Sequence, residues 1–149
     1  MDGYHIPRAR LDAEGLRRRG ARFTFDDAAL RADLTRLRAN RSGKFPAFDH
    51  AEKDPKPDAI HVHHATEIVI VEGLYLLMRD WQLAPLFDLT IFLDCDLEVA
   101  LDRVAARHLA CGLADSPEAA QARAESNDRL NALDVLGDGC RERADLVLA

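Results

Sequence analysis

An aspartate and a glycine stand second and third in this chain, followed by an aromatic, a histidine, a proline and an arginine: "MDGYHIPRAR". A carboxylate such as Asp2 can take a proton from an attacking hydroxyl. His5 can orient a substrate beside it, and Arg8 can pair with a phosphate or carboxylate. The plainer alternative is a frayed terminus, where chains are commonly least ordered. A second acid, Glu72, closes the apolar run "IVIVEG" and is followed by Gly73. In open α/β sheets ligands gather beyond the carboxyl ends of strands. An acid there can hold Mg²⁺ directly or through water, and the glycine lets a phosphate approach. Its bland counterpart is a strand that merely ends at the surface.

A third set is Arg103 and Arg107 in "LDCDLEVALDRVAARHLACG". One helical turn apart, their guanidinium groups can close on a single anion. They also fit a solvated helix face of alternating charge, with Glu98 and Asp102 as the acids. Three features carry less. "HVHH" places His61 and His63 on one strand face, two imidazoles without a third ligand nearby. Arg17, Arg18 and Arg19 read as a solvated or nucleotide-facing loop. Cys95 follows Asp94 at a strand end, where a buried thiol is the commoner case.

These residues need elements to hold them. Asp26 caps a helix of about three turns in which Leu30, Leu34 and Leu37 recur, ending near Asn40. The stretch 41–59, rich in Pro, Asp and Lys, reads as a long loop, and "AIHVHH" as a short strand. "TEIVIVEG" reads as a buried parallel strand, "LYLLMRDWQLAPLF" as helical, and "LTIFLD" (89–94) as a second buried strand. A helix from about Leu97 to Leu109 follows. Ser116-Pro117-Glu118 starts another, and "ADLVLA" ends the chain as a third strand. Trp81 and Met78 look like core. Strands alternating with helices give an α/β class with a mostly parallel sheet.

The bulk properties bound the partners. The 149 residues suit one domain; they are 48% hydrophobic and 31% charged, with formal charge −6. That balance argues against nucleic-acid binding by bulk attraction. The three cysteines, Cys95, Cys111 and Cys140, include no CxxC pair, so neither a disulfide framework nor a zinc site is expected. No apolar run is long enough for a membrane span and no signal peptide is visible. A cytoplasmic location is the expectation, with no nucleic acid and no membrane as partner.

Six segments in register, "MDGYHIPRARLDAEGLRRRGARFTFD", "FPAFDHAEKDP", "IVIVEGLYLL", "LFDLTIFLDCDLEVALDRVAARHLACG", "SNDRLNA" and "RADLVL", resemble the uridine kinase, phosphoribulokinase and pantothenate kinase group of P-loop kinases. They cover nearly the whole chain. The resemblance implies ATP-dependent phosphorylation, with Mg²⁺, of a hydroxyl on a small metabolite: a nucleoside, a sugar or a sugar phosphate. It implies that Asp2 is the general base and that Tyr4, His5 and Arg8 line the acceptor site. Phe25 and Asp26 match the part that contacts a sugar or nucleoside. Phe48, Asp49 and His50 match the acceptor loop. Glu72 matches the acid near Mg²⁺, and Arg103 and Arg107 match lid arginines that reach phosphates. Asn127, Asp128 and Asn131 match a polar helix motif to which no role is assigned.

The resemblance also exposes a gap. Such kinases cradle ATP phosphates in G-x-x-x-x-G-K-[ST] ahead of the Asp2 motif. These 149 residues contain no such motif: in "RSGKF" Phe45 stands where Ser or Thr is needed. The expected fold is therefore a P-loop kinase-type three-layer sandwich lacking its first strand–P-loop–helix–strand portion, a single partial domain over 1–149. Its strands would then show unpaired edges, inviting a second copy or another polypeptide that completes the sheet. The rival reading is a non-catalytic remnant that binds a metabolite or a partner. The 149-residue chain is expected to show no kinase activity; ATP turnover with a nucleoside or sugar above a blank, lost in Asp2→Asn, would contradict this.

Overall fold

The computed structural model describes residues 1–49 and 51–149. The chain forms two compact units, Met1–Asp88 and Leu89–Ala149.

In the first unit a 3₁₀ turn (Asp2–Tyr4) leads through α1 (Ala13–Arg17) to α2 (Asp27–Asn40). Asp26 caps α2 by accepting from the Ala29 amide at 2.9 Å, as expected, and Leu30 and Leu34 are its buried face. Between these helices the chain folds back on its own start. The Ile6 amide donates to Thr24 O and the Asp26 amide to Tyr4 O, both at 2.8 Å. Residues 4–6 and 24–26 are thereby locked side by side.

The stretch expected to be a long loop is instead an antiparallel hairpin, β1 (Gly43–Asp49) and β2 (Asp54–Val62). Its prolines concealed it, since proline is tolerated in sheets only at edges and bulges. Both strands of a two-stranded sheet are edges. The register slips between Phe45 and Ala47, opposite a segment where Asp58 takes a positive φ of 53°. Gly3 sits under this irregularity: a Cβ there would overlap the Pro46 carbonyl.

Two further expectations fail in this unit. Residues 66–72 form no strand, and Ile68 and Ile70 are 78% and 87% exposed. A buried strand needs a ladder neighbour, and among the described residues this segment has none. The stretch 74–87 is not a continuous helix but a series of turns closed by i→i+3 bonds (Met78 to Tyr75, Trp81 to Met78, Leu86 to Leu83). Its side chains explain this. Tyr75 through Met78 are all buried in succession, with Trp81 and Leu83, whereas an amphipathic helix would have turned one face to solvent.

In the second unit β3 (Ile91–Leu93) pairs in parallel with β4 (Leu146–Leu148). The pair is not buried as expected: Leu93 is 74% exposed. Asp145 ties it, accepting from both the Thr90 amide (2.8 Å) and hydroxyl (2.7 Å). The helices α3 (Leu97–Ala110) and α4 (Pro117–Arg123), the latter capped by Ser116, enclose a core of Leu101, Ala105, Ala120 and Ala124. A π-helical turn (Ala124–Asp128) joins α4 to α5 (Arg129–Gly137), and α6 (Cys140–Arg143) precedes β4.

Among the described residues no helix is long and apolar enough to cross a membrane. Gly3→Ala forces backbone against backbone and should cost about 1–3 kcal/mol by the usual penalty for overpacking. Urea titration checks this; an unchanged midpoint would mean that the hairpin is not held where the structure has it.

Candidate active site

His5 is the hinge of the site in the first unit. Its Nδ1 lies 2.8 Å from Asp2 O. Only an N–H can bond to a carbonyl, so Nδ1 carries the proton and Nε2 is left as an acceptor. The ring packs on Phe25 (4.0 Å between centroids) and Phe48 (5.0 Å). Phe25 in turn meets Tyr75 at 5.7 Å and Trp81 at 6.3 Å. This aromatic column fixes the imidazole, and burial, the chief cause, lowers its pKa despite the nearby Asp2. His5 is therefore held toward its neutral form.

The residue before Asp2, Met1, meets Glu72, far away in sequence. The Met1 amine donates to Glu72 O at 2.6 Å and lies 3.6 Å from Glu72 Oε1. Gly73 makes room, since a Cβ there would overlap the Met1 side chain. Asp2 is exposed and the Glu72 side chain is 84% exposed. An exposed carboxylate such as Glu72 is of the donor type Mg²⁺ takes, since that ion binds through one or two carboxylates and keeps waters and substrate phosphates. Among the described residues no group of three or more His, Cys, Asp or Glu side chains forms a closed metal cage.

The other expected residues divide. Tyr4 is buried and donates to Asp33 Oδ2 at 2.8 Å; burial first, then Asp33, push its phenol well above the usual range. Asp26 is occupied as the α2 cap. Asp49 accepts from the Ala51 and Glu52 amides at 2.9 and 3.1 Å and so shapes the hairpin turn. Arg8 lends its amide to Asp54 Oδ1 at 2.9 Å. His50 lies outside the described residues.

Arg103 and Arg107 belong to the second unit and are exposed on α3. Arg103 reaches Cys95 Sγ at 3.7 Å, and Cys95 is exposed rather than buried. Behind Arg107, His108 is buried with Nε2 3.7 Å from Asp128 Oδ2. Burial lowers the His108 pKa and raises that of Asp128.

Sequence reasoning missed several contributors. Arg19 was one of three arginines read as a loop. It donates to Asp54 Oδ1 (2.7 Å) and Lys53 O (2.6 Å), and its guanidinium stands 5.7 Å from the Phe48 ring. It thus clamps the hairpin to the start of the chain. A cleft of about 300 Å³ opens beside His5, lined also by Asp33, Arg36, Lys44 and Asp58. Nothing in the local pattern marks these four, because they meet only through the fold.

Comparison with known proteins identifies the family. The Phosphoribulokinase / Uridine kinase family matches residues 11–111. This chain belongs to that family. It is 40% identical to the ATP-dependent kinase-like protein notR' of Aspergillus versicolor over 91% of this chain and 87% of that one. A crystal structure described as a candidate fructose transport system kinase from Silicibacter sp. TM1040 superposes with a TM-score of 0.89 at 32% identity, over 100% of this chain and 72% of that one. YFH7 from Saccharomyces cerevisiae, described as a candidate P-loop kinase with a circular permutation, gives 0.81 at 27%, over 99% and 55%. Two further curated relatives are spanned over 60% and 45% of their length. The fold is accordingly of the P-loop kinase type.

His5 should titrate below its ordinary value near 6.5. Because the folded state disfavours its protonation, the stability it contributes is present above pH 6.5 and is lost as pH falls through the lower folded value. An NMR titration of the His5 ring checks the midpoint. In His5→Gln the same acid loss should be smaller.

Proposed function

We propose that this chain carries the acceptor site and lid of an ATP-dependent phosphotransferase acting on a hydroxyl of a small metabolite: a nucleoside, a sugar or a sugar phosphate. The observation that supports it most is the ordered imidazole of His5, bonded to Asp2 O, on the same segment whose first residue, Met1, meets Glu72 and Gly73. In the reaction, the acceptor oxygen bonds to the γ-phosphorus of ATP as the bond to the β,γ-bridging oxygen breaks and ADP leaves. The acceptor proton passes to the Asp2 carboxylate. His5 Nε2 accepts a hydrogen bond from the acceptor and sets its orientation. Glu72 would hold Mg²⁺, which when bound neutralises phosphate charge. Arg103 and Arg107, exposed and one turn apart, suit the role of binding phosphate oxygens. No residue of this chain is assigned to cradle the β- and γ-phosphates, since the sequence holds no G-x-x-x-x-G-K-[ST].

That same gap favours a second reading, a non-catalytic module that binds a metabolite, a second copy or another polypeptide. The exposed Ile68 and Ile70 give such a partner an apolar segment to pack against. A metabolite-panel phosphorylation assay on the chain lengthened by its upstream coding sequence separates the two. The kinase reading predicts transfer, with kcat in Asp2→Asn lower by roughly 10²–10⁴-fold, the usual share of a general base. KM should change little. Stop codons directly upstream of Met1, or full activity in Asp2→Asn, would favour the module.

A further inference from the structure

The cleft beside His5 has a lining that discriminates among acceptors. Its charged residues are Asp26, Asp33 and Asp58 against Arg36 and Lys44. The acids therefore outnumber the bases, and the bases are not all available: Arg36 pairs with Asp33. Lys44 and Asp58 make no ion pair among the described residues, and both are exposed at the cleft. The remaining wall is largely rigid and apolar, from Pro46, Pro55 and Pro57 of the hairpin.

We infer that this cleft takes the phosphoryl acceptor as a neutral polyhydroxylated ring, an unphosphorylated sugar, in preference to a sugar phosphate or a nucleoside. The inference rests on the kinase reading above for its role in turnover, but not for the binding itself. Each sugar hydroxyl both donates and accepts, so it suits a wall that offers both acids and bases, as Asp58, Lys44, Asp33 and Arg36 do here. Neutral His5 Nε2 adds an acceptor at one end of the wall. The CH faces of a sugar ring suit proline rings.

A phosphate group has the opposite requirement. It carries nearly two negative charges and needs donors in excess; here, with Asp33 and Arg36 paired to each other, Lys44 alone would be set against Asp26 and Asp58. A nucleobase needs an aromatic face. The large aromatics nearby are spent on other contacts: Phe25 and Trp81 are buried, Tyr75 is fully so, and the half-buried Phe48 packs on His5 and lies near Arg19. Tyr4 lines the cleft but is itself buried against Asp33. The volume of about 300 Å³ lies at the small end of the roughly 300–1,000 Å³ span of ligand sites.

The test is calorimetric titration of the 149-residue chain, without ATP, with D-fructose, D-ribose, fructose 6-phosphate and uridine. At least one free sugar should bind about tenfold more tightly than fructose 6-phosphate and uridine. Asp58→Asn and Lys44→Met, both on the exposed rim and checked for folding by circular dichroism, should each weaken it by about fivefold or more. Asp58→Lys should shift preference toward the phosphorylated sugar. Tightest binding of fructose 6-phosphate or uridine, absence of sugar binding, or binding unchanged in both rim variants overturns the proposal. Transfer by the lengthened chain to a sugar phosphate or nucleoside alone would also overturn it while leaving the kinase reading intact. Free-sugar binding without transfer to any acceptor would fail the kinase reading and leave the ligand class standing.

Discussion

The first unit depends on one short piece of backbone pairing. Tyr4 and Ile6 exchange bonds with Asp26 and Thr24, and almost everything at the site is attached to one side or the other of that pair. Tyr4 carries the link to Asp33 on α2. His5, between them, carries the aromatic column and the bond to Asp2. Asp26, on the far side, begins α2. Removing the pairing would free the segment bearing Asp2 from its scaffold, whereas the loss of any single side chain would loosen only one attachment.

The hairpin is secured in a different way. Among the described residues it has no third strand, so its position depends on Arg19 and Gly3. Arg19 satisfies hydrogen bonds on Asp54 and Lys53 while lying near Phe48. Gly3 lets the backbone at Pro46 come closer than any side chain would permit. A charged clamp and a bare Cα act together: one attracts the flap, and the other removes the obstacle. Charge-assisted bonds of this kind are among the stronger contributors to stability in proteins.

Much of the α-helical structure was legible in the sequence. Asp26 and Ser116 announced their helices because a capping side chain acts on amides two or three residues away, within the reach of local pattern. The family, too, was legible from six segments in order. The apolar runs were not. "IVIVEG" has the composition of a buried strand, but composition cannot say whether a neighbour is present, and here Ile68 and Ile70 face outward. "YLLM" (75–78) failed for the converse reason: four buried residues in succession abolish the periodicity by which helices and turns are told apart. The cleft was only half visible. Tyr4, His5 and Asp26 stand in recognisable motifs. Asp33, Arg36, Lys44 and Asp58 are ordinary surface residues until α2 and the hairpin bring them together.

The prolines of that hairpin reach beyond the site. Pro46, Pro55 and Pro57 each lack an amide hydrogen, so the ribbon offers an interrupted row of donors to any strand that drifts alongside. The hairpin is thus insulated against growing into a wider sheet, and it can stay a thin, separately anchored leaf even in a crowded cell.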